Sequence, residues 1–147
     1  MLSLSDTRQR GQHDCGAAVC ACVLAHFGVS KPLSYFVGKL HTNAIDGTDP
    51  RVIESFLRAE GLRVLSGEME PDDLQWHTKQ GRPVIALVTF SQVGHYVVVA
   101  GVSRGKVYYQ CPIDGPGSAK VAHFSFHWHD SGRFGERFAQ FGLAVWR

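Results

Sequence analysis

At 147 residues the chain has the length of one domain, long enough to bury a core without disulfide or metal staples. Its 44% apolar and 19% charged residues suit an ordinary globular protein, and a formal charge of +2 leaves no basic stripe for nucleic acid or acidic membrane. The opening MLSLSDTRQR lacks the apolar centre of an export signal, and no apolar run is long enough to span a bilayer, so a cytoplasmic protein without membrane insertion is expected. Cys15, Cys20, Cys22 and Cys111 form no secreted framework and are expected to be free thiols in a reducing compartment.

No repeat, low-complexity tract or linker divides the sequence, and a single domain over 1–147 is predicted. The compact, Ala-rich run from Cys15 to Phe27, stopped by Gly28, predicts a buried helix with Asp14 or Cys15 at its N-terminal edge. A short helix is expected around Ser34 to Leu40. In DGTDPRVIESFLRAEG, Thr48 or Asp49 caps a third helix, Pro50 suits its first turn, and Gly61 ends it. Its apolar face would hold Val52, Ile53, Phe56 and Leu57. Another short helix is predicted over Asp72 to Gln80, ending at Gly81.

From Pro83 the pattern turns to strands. PVIALVTF is a continuous apolar run, as in a central strand covered on both faces. HYVVVAGV and KVYYQC follow, joined at Gly105 by a hairpin turn, and FGLAVW reads as a closing strand. Between them, PIDGPGSAK reads as a turn-rich loop. Helices first and antiparallel strands second is an α+β pattern.

Cys15 stands at a helix N-terminus, where unpaired backbone N–H groups and the helix dipole favour a thiolate, the reactive form of cysteine. Gly16 would allow a substrate backbone to come close. Taken alone, a small residue heading a buried helix is the simpler explanation of Cys15. His95 opens a later strand and is the type of residue that serves as base to a thiol; by alternation it shares a face with Val97 and Val99.

Together these pieces resemble the papain-like cysteine peptidases that remove double-glycine leaders from bacteriocin and related precursors. The resemblance rests on Gln9, Cys15 and Gly16, then GTDPRVIESFLRAEGL, GRPVIALV and GHYVVVAGV, and runs from about Gln9 to Cys111. It implies a papain-like α+β fold, with an N-terminal helical half packed on a C-terminal antiparallel sheet. It makes Cys15 the nucleophile, His95 the general base and Gln9 the side-chain donor to the oxyanion, with Gln12 a competitor for that last role. In the family an aspartate on the following strand orients the imidazole; here that step is Cys111-Pro112, and Asp114 is the nearest carboxylate. The third position therefore falls to Cys111 or Asp114.

The resemblance implies a peptide or acyl substrate, a separate exporter or biosynthetic carrier as partner, and no cofactor. An acyltransferase, cyclase or thioesterase using a Cys15 thioester is the alternative, followed by a degenerate peptide-binding domain. No metal is expected, either on Cys15, His95 and Cys111 or in HFSFHWHD. That last segment is read as a partly exposed aromatic lip centred on Trp128, with His123, His127 and His129 on one strand face. His26, His41 and His77 are read as structural or exposed.

Overall fold

A computed structural model describes residues 1–11, 14–40, 48–90, 93–130, 134 and 138–147. Five helices and six strands occur among them: α1 Cys15–His26, α2 Leu33–Leu40, α3 Pro50–Ala59, β1 Arg63–Glu68, α4 Pro71–Lys79, β2 Val84–Phe90, β3 Val93–Ser103, β4 Lys106–Cys111, β5 Gly115–Lys120, α5 Val121–His127 and β6 Phe141–Trp146. The strands form one antiparallel sheet in the order β1-β6-β2-β3-β4-β5.

Helix α1 is buried along Cys15–Leu24, as expected of a helix that is apolar all round. It ends in a Schellman motif: Gly28 at φ +86° lets the Val29 N–H reach the Leu24 carbonyl and its own N–H reach Ala25. In α3 the cap is Asp49, whose carboxylate accepts the Arg51 N–H at 2.8 Å, with Pro50 in the first turn. Ile53, Phe56 and Leu57 face the core, whereas Val52, expected beside them, is exposed.

The core lies on both faces of the sheet. On one, residues of α1, α2 and α3 pack with Ile85, Leu87, Tyr96 and Val98. On the other, Leu74 of α4 and Phe124 of α5 pack with Val84, Ala86, Val97, Val99 and Cys111. The α+β architecture expected from the sequence therefore holds, with α4 and α5 adding a second helical layer.

Three segments differ from expectation. Strand β1 follows α3 directly and pairs along its whole length with β6, from Arg63 opposite Trp146 to Glu68 opposite Phe141. The segment 115–120, read as loop, is strand β5 at the sheet's edge, the position where a strand tolerates Pro116. HFSFHWHD is partly exposed, through His123 and Phe126, but it is neither a strand nor centred on an exposed Trp128: residues up to His127 close helix α5, and Trp128 is fully buried, its Nε1 donating to the Phe141 carbonyl at 2.9 Å. Aromatics at every second position imitate strand alternation, but here they also fall at helical spacing, with the Phe124 and Trp128 rings, four residues apart, tilted against each other at 5.6 Å.

The β3–β4 hairpin turns at Arg104 and Gly105, both with positive φ (53° and 75°). Its register shifts once, between Val99 and Gly101, so Ser103 opposes Lys106 and Gly101 opposes Tyr108, but Val99 opposes Tyr109. Ala100 is thus a bulge residue.

His77 of α4 is buried, and its Nδ1 has no hydrogen-bond partner among the described residues. Burial, aided by the nearby Arg82 guanidinium, pulls its imidazole below the ordinary 6.5. The unfolded chain therefore takes up this proton at higher pH than the fold does. The His77 contribution to stability is present above 6.5 and is lost as pH falls through the lower folded value. On going from about pH 7.5 to about pH 5, thermal melts should show a larger loss of stability for the wild type than for His77→Gln.

Candidate active site

Cys15 is the first residue of α1 and is buried. The preceding Asp14 does not cap the helix with its side chain; its carboxylate instead accepts the Gly11 N–H at 2.9 Å. The N–H groups of the first helical turn therefore have no capping side chain from Asp14. Directly after it, Gly16 faces Thr48 so closely that a Cβ would lie 2.7 Å from the Thr48 Cβ. Thr48 in turn accepts a hydrogen bond on its carbonyl from the Tyr96 hydroxyl at 2.7 Å. Gly16 follows Cys15 and Tyr96 follows His95, so Thr48 ties the head of α1 to the start of β3.

His95 is buried. The Phe90 ring lies edge-on to it at 5.3 Å, and its Nε2 stands 3.7 Å from Cys111 Sγ. Cys111 ends β4 and is buried. Asp114, the other residue considered for that position, is exposed on the turn that follows.

Gln9 belongs to an N-terminal arm that crosses the sheet. Its backbone N–H donates to the Pro112 carbonyl at 3.0 Å, so the arm is docked one residue past Cys111. Its side-chain amide donates to the Gly11 carbonyl at 2.8 Å, which commits one of two N–H donors, while Oε1 is buried without a partner among the described residues. Gln12 lies outside the described residues, as does His41.

Two further cysteines lie deeper in α1. Burial raises the Cys20 thiol far out of the physiological range and pushes Cys22 up to about 11, against a weak opposing hydrogen bond from Cys22 to the Ser5 carbonyl. None of the four cysteines forms a disulfide.

Next to the site, an open groove of about 480 Å³ is lined by Phe90, Tyr109, Ser118, Ala119, His123 and His127. Phe90 connects it to His95. His123 and His127, one helical turn apart on α5, have ring centroids 4.6 Å apart, and His127 Nδ1 meets the Thr89 carbonyl at 3.0 Å. His129 instead bridges to Ala139. A strand would also set His123 and His127 on one face but about 13 Å apart, and it is the helix that brings their rings together. Among the described residues no group of three or more His, Cys, Asp or Glu is placed to hold a metal ion, and no helix is long and apolar enough to cross a membrane.

The profile of the peptidase C39 family matches residues 4–132. Comparison with curated proteins finds no match. Among solved structures, a double glycine motif protease from an AMS/PCAT transporter, in complex with the leader peptide, superposes with a TM-score of 0.75. It is 22% identical, and the match covers 97% of this chain and 91% of that one. The peptidase domain of Streptococcus ComA superposes at 0.73 with 21% identity, over 99% and 97% of the two chains. The peptidase domain of Streptococcus mutans ComA, in complex with a small-molecule inhibitor, gives 0.63 and 16%, over 97% and 99%. These likenesses extend the match from motif spacing to the whole fold.

Gly16→Ala should cost about 1–3 kcal/mol, because the added methyl has to displace buried Thr48. Urea denaturation measures the loss, and an unchanged midpoint would contradict the packing described.

Proposed function

The chain belongs to the peptidase C39 family, and from that premise we propose that it is a cysteine peptidase that cleaves a leader from a peptide precursor after a double-glycine-type site. The observation that carries this reading is the buried contact of His95 Nε2 with Cys111 Sγ, at the strand end that Thr48 ties to Cys15. One ring nitrogen is thereby occupied at the third position, and the imidazole is held in one orientation.

Cys15 is the nucleophile. His95 takes the Cys15 thiol proton, and the thiolate, favoured by the N-terminal end of α1, attacks the carbonyl carbon of the scissile peptide and forms a carbon–sulfur bond. The carbonyl oxygen takes up the charge and is met by the Cys15 backbone N–H and the second N–H of the Gln9 amide; such a donor is worth about 3 kcal/mol of barrier. His95 gives its proton to the departing amine as the carbon–nitrogen bond breaks, leaving a thioester. It then takes a proton from the incoming water, whose oxygen displaces the Cys15 sulfur.

Cys111 fills the orienting role. A thiol is a weaker acceptor than a carboxylate, and the 3.7 Å contact is longer than a carboxylate–imidazole bond, so the imidazole is held with less electrostatic support. The aromatic groove beside Phe90 is the path along which the peptide approaches, with its donor or partner a precursor delivered by an exporter or biosynthetic system.

The test uses a synthetic precursor peptide containing a Gly-Gly step, with products read by mass spectrometry. Cleavage should be lost on Cys15→Ala and on His95→Ala, and should fall about tenfold on Cys111→Ala while Cys111→Asp stays active. Cleavage that survives Cys15→Ala sinks the proposal. A trapped acyl-enzyme released by water, and not only by added amine, separates hydrolysis from acyl transfer.

A second measurement needs no substrate. Iodoacetamide at neutral pH should modify Cys15 well ahead of Cys20 and Cys22, whose thiols burial keeps protonated. Equal rates at Cys15 and Cys22 would remove the case for an activated nucleophile.

A further inference from the structure

We propose that Asp6 and Arg8 are positioning residues: their ion pair clamps the N-terminal arm onto the turn after Cys111 and holds Gln9 and Cys111 in one frame. The inference rests on the catalytic reading above and goes beyond it, because neither residue belongs to the reacting set.

The clamp is built from five polar contacts. Arg8 Nε and Nη2 donate to the two carboxylate oxygens of Asp6 at 2.6 and 3.2 Å, and Nη1 reaches across to the Ile113 carbonyl at 3.1 Å. Asp6 also accepts from Gln110 Nε2 at 2.8 Å, which fastens the arm to the last residues of β4. The Gln9 N–H closes the set on the Pro112 carbonyl at 3.0 Å. The arm thus holds residues 110, 112 and 113, on both sides of Cys111, through Asp6, Arg8 and Gln9.

Gly115 marks how close the approach is. It has φ +84°, and a Cβ there would overlap the Arg8 guanidinium. Only glycine satisfies both the turn and the arginine. Asp114 and Cys111 also lie within electrostatic reach of Arg8.

Asp6 and Arg8 are both about half exposed, and exposed ion pairs add little to stability. Their value lies in geometry. A guanidinium fork presents fixed, divergent N–H donors, so one side chain can hold a carboxylate and a carbonyl on different segments at once. Lysine offers a point charge and cannot reproduce that bridge.

The test compares wild type, Arg8→Ala, Arg8→Lys, Asp6→Asn and the double variant Asp6→Asn/Arg8→Ala on the Gly-Gly peptide. It records kcat, KM, the melting temperature and the iodoacetamide rate at Cys15. Each single variant, lysine included, should lower kcat about tenfold, and the double variant should be no worse, as expected of two residues in one device. KM, melting temperature and alkylation rate should stay close to wild type, because alkylation needs the thiolate but not the oxyanion donor.

Unchanged kcat in Arg8→Ala overturns the clamp, and so does full rescue by lysine. A fall in kcat matched by equal falls in alkylation rate and melting temperature also overturns it, since the residues would then be merely structural. A wild type that fails to cleave the peptide through Cys15 defeats the catalytic reading itself, and that failure shows before any variant is compared.

Discussion

The site depends on one extra residue in a strand. Counted back from the hairpin turn, an unbroken β3–β4 register would set Cys111 opposite Val98, on the face that packs against α1. The bulge at Ala100 shifts the pairing by one, so Cys111 instead falls on the face shared by Val97 and Val99. Side chains in a sheet alternate, and a slip of one residue moves every later side chain to the other side. Without that slip, Cys111 would sit behind the sheet from His95.

The bulge also fixes the arm. The Ala100 carbonyl accepts the Leu2 N–H at 2.9 Å, and Met1 lies against Gly101. An irregularity in the ladder leaves a backbone group without a strand partner, and here the arm supplies the partner. The feature that brings Cys111 to His95 therefore also anchors the segment that carries Gln9. Position 111 is buried, and a thiol there is a weaker hydrogen-bond acceptor for the imidazole than a carboxylate.

How much of this could be read from the sequence depended on whether a segment's pattern matched its surroundings. Helix α3 carries plain periodicity, α1 and strands β2, β3 and β6 carry compact apolar runs with clear stops, and the motif QxxxxxCG with GHYVVVAG pointed to the family. Strand β5 was hidden because Gly115, Pro116 and Gly117 read as a turn, and only an edge position makes such a strand possible. Helix α5 was hidden because aromatics at alternate positions also satisfy helical spacing. In HYVVVAGV the one hint of a bulge is Gly101, a lone glycine within a strand, and the hint did not say where the pairing would slip. Cys111 stood out as a departure from a motif, while its contact with His95 needed the register to be known.

The arm's contacts have a consequence for when the protein acquires its chemistry. Arg8 and Ile113 are 105 residues apart in sequence, and Asp6 and Gln110 are 104 apart. Chain emerges from synthesis at about 5–20 residues per second, so the first ten residues wait several seconds for the partners that seat them. Cys15 is made early, but His95, Cys111 and the carbonyls that dock Gln9 arrive late. On the proposed reading, the chain during that interval carries the Cys15 thiol without the groups that would use it.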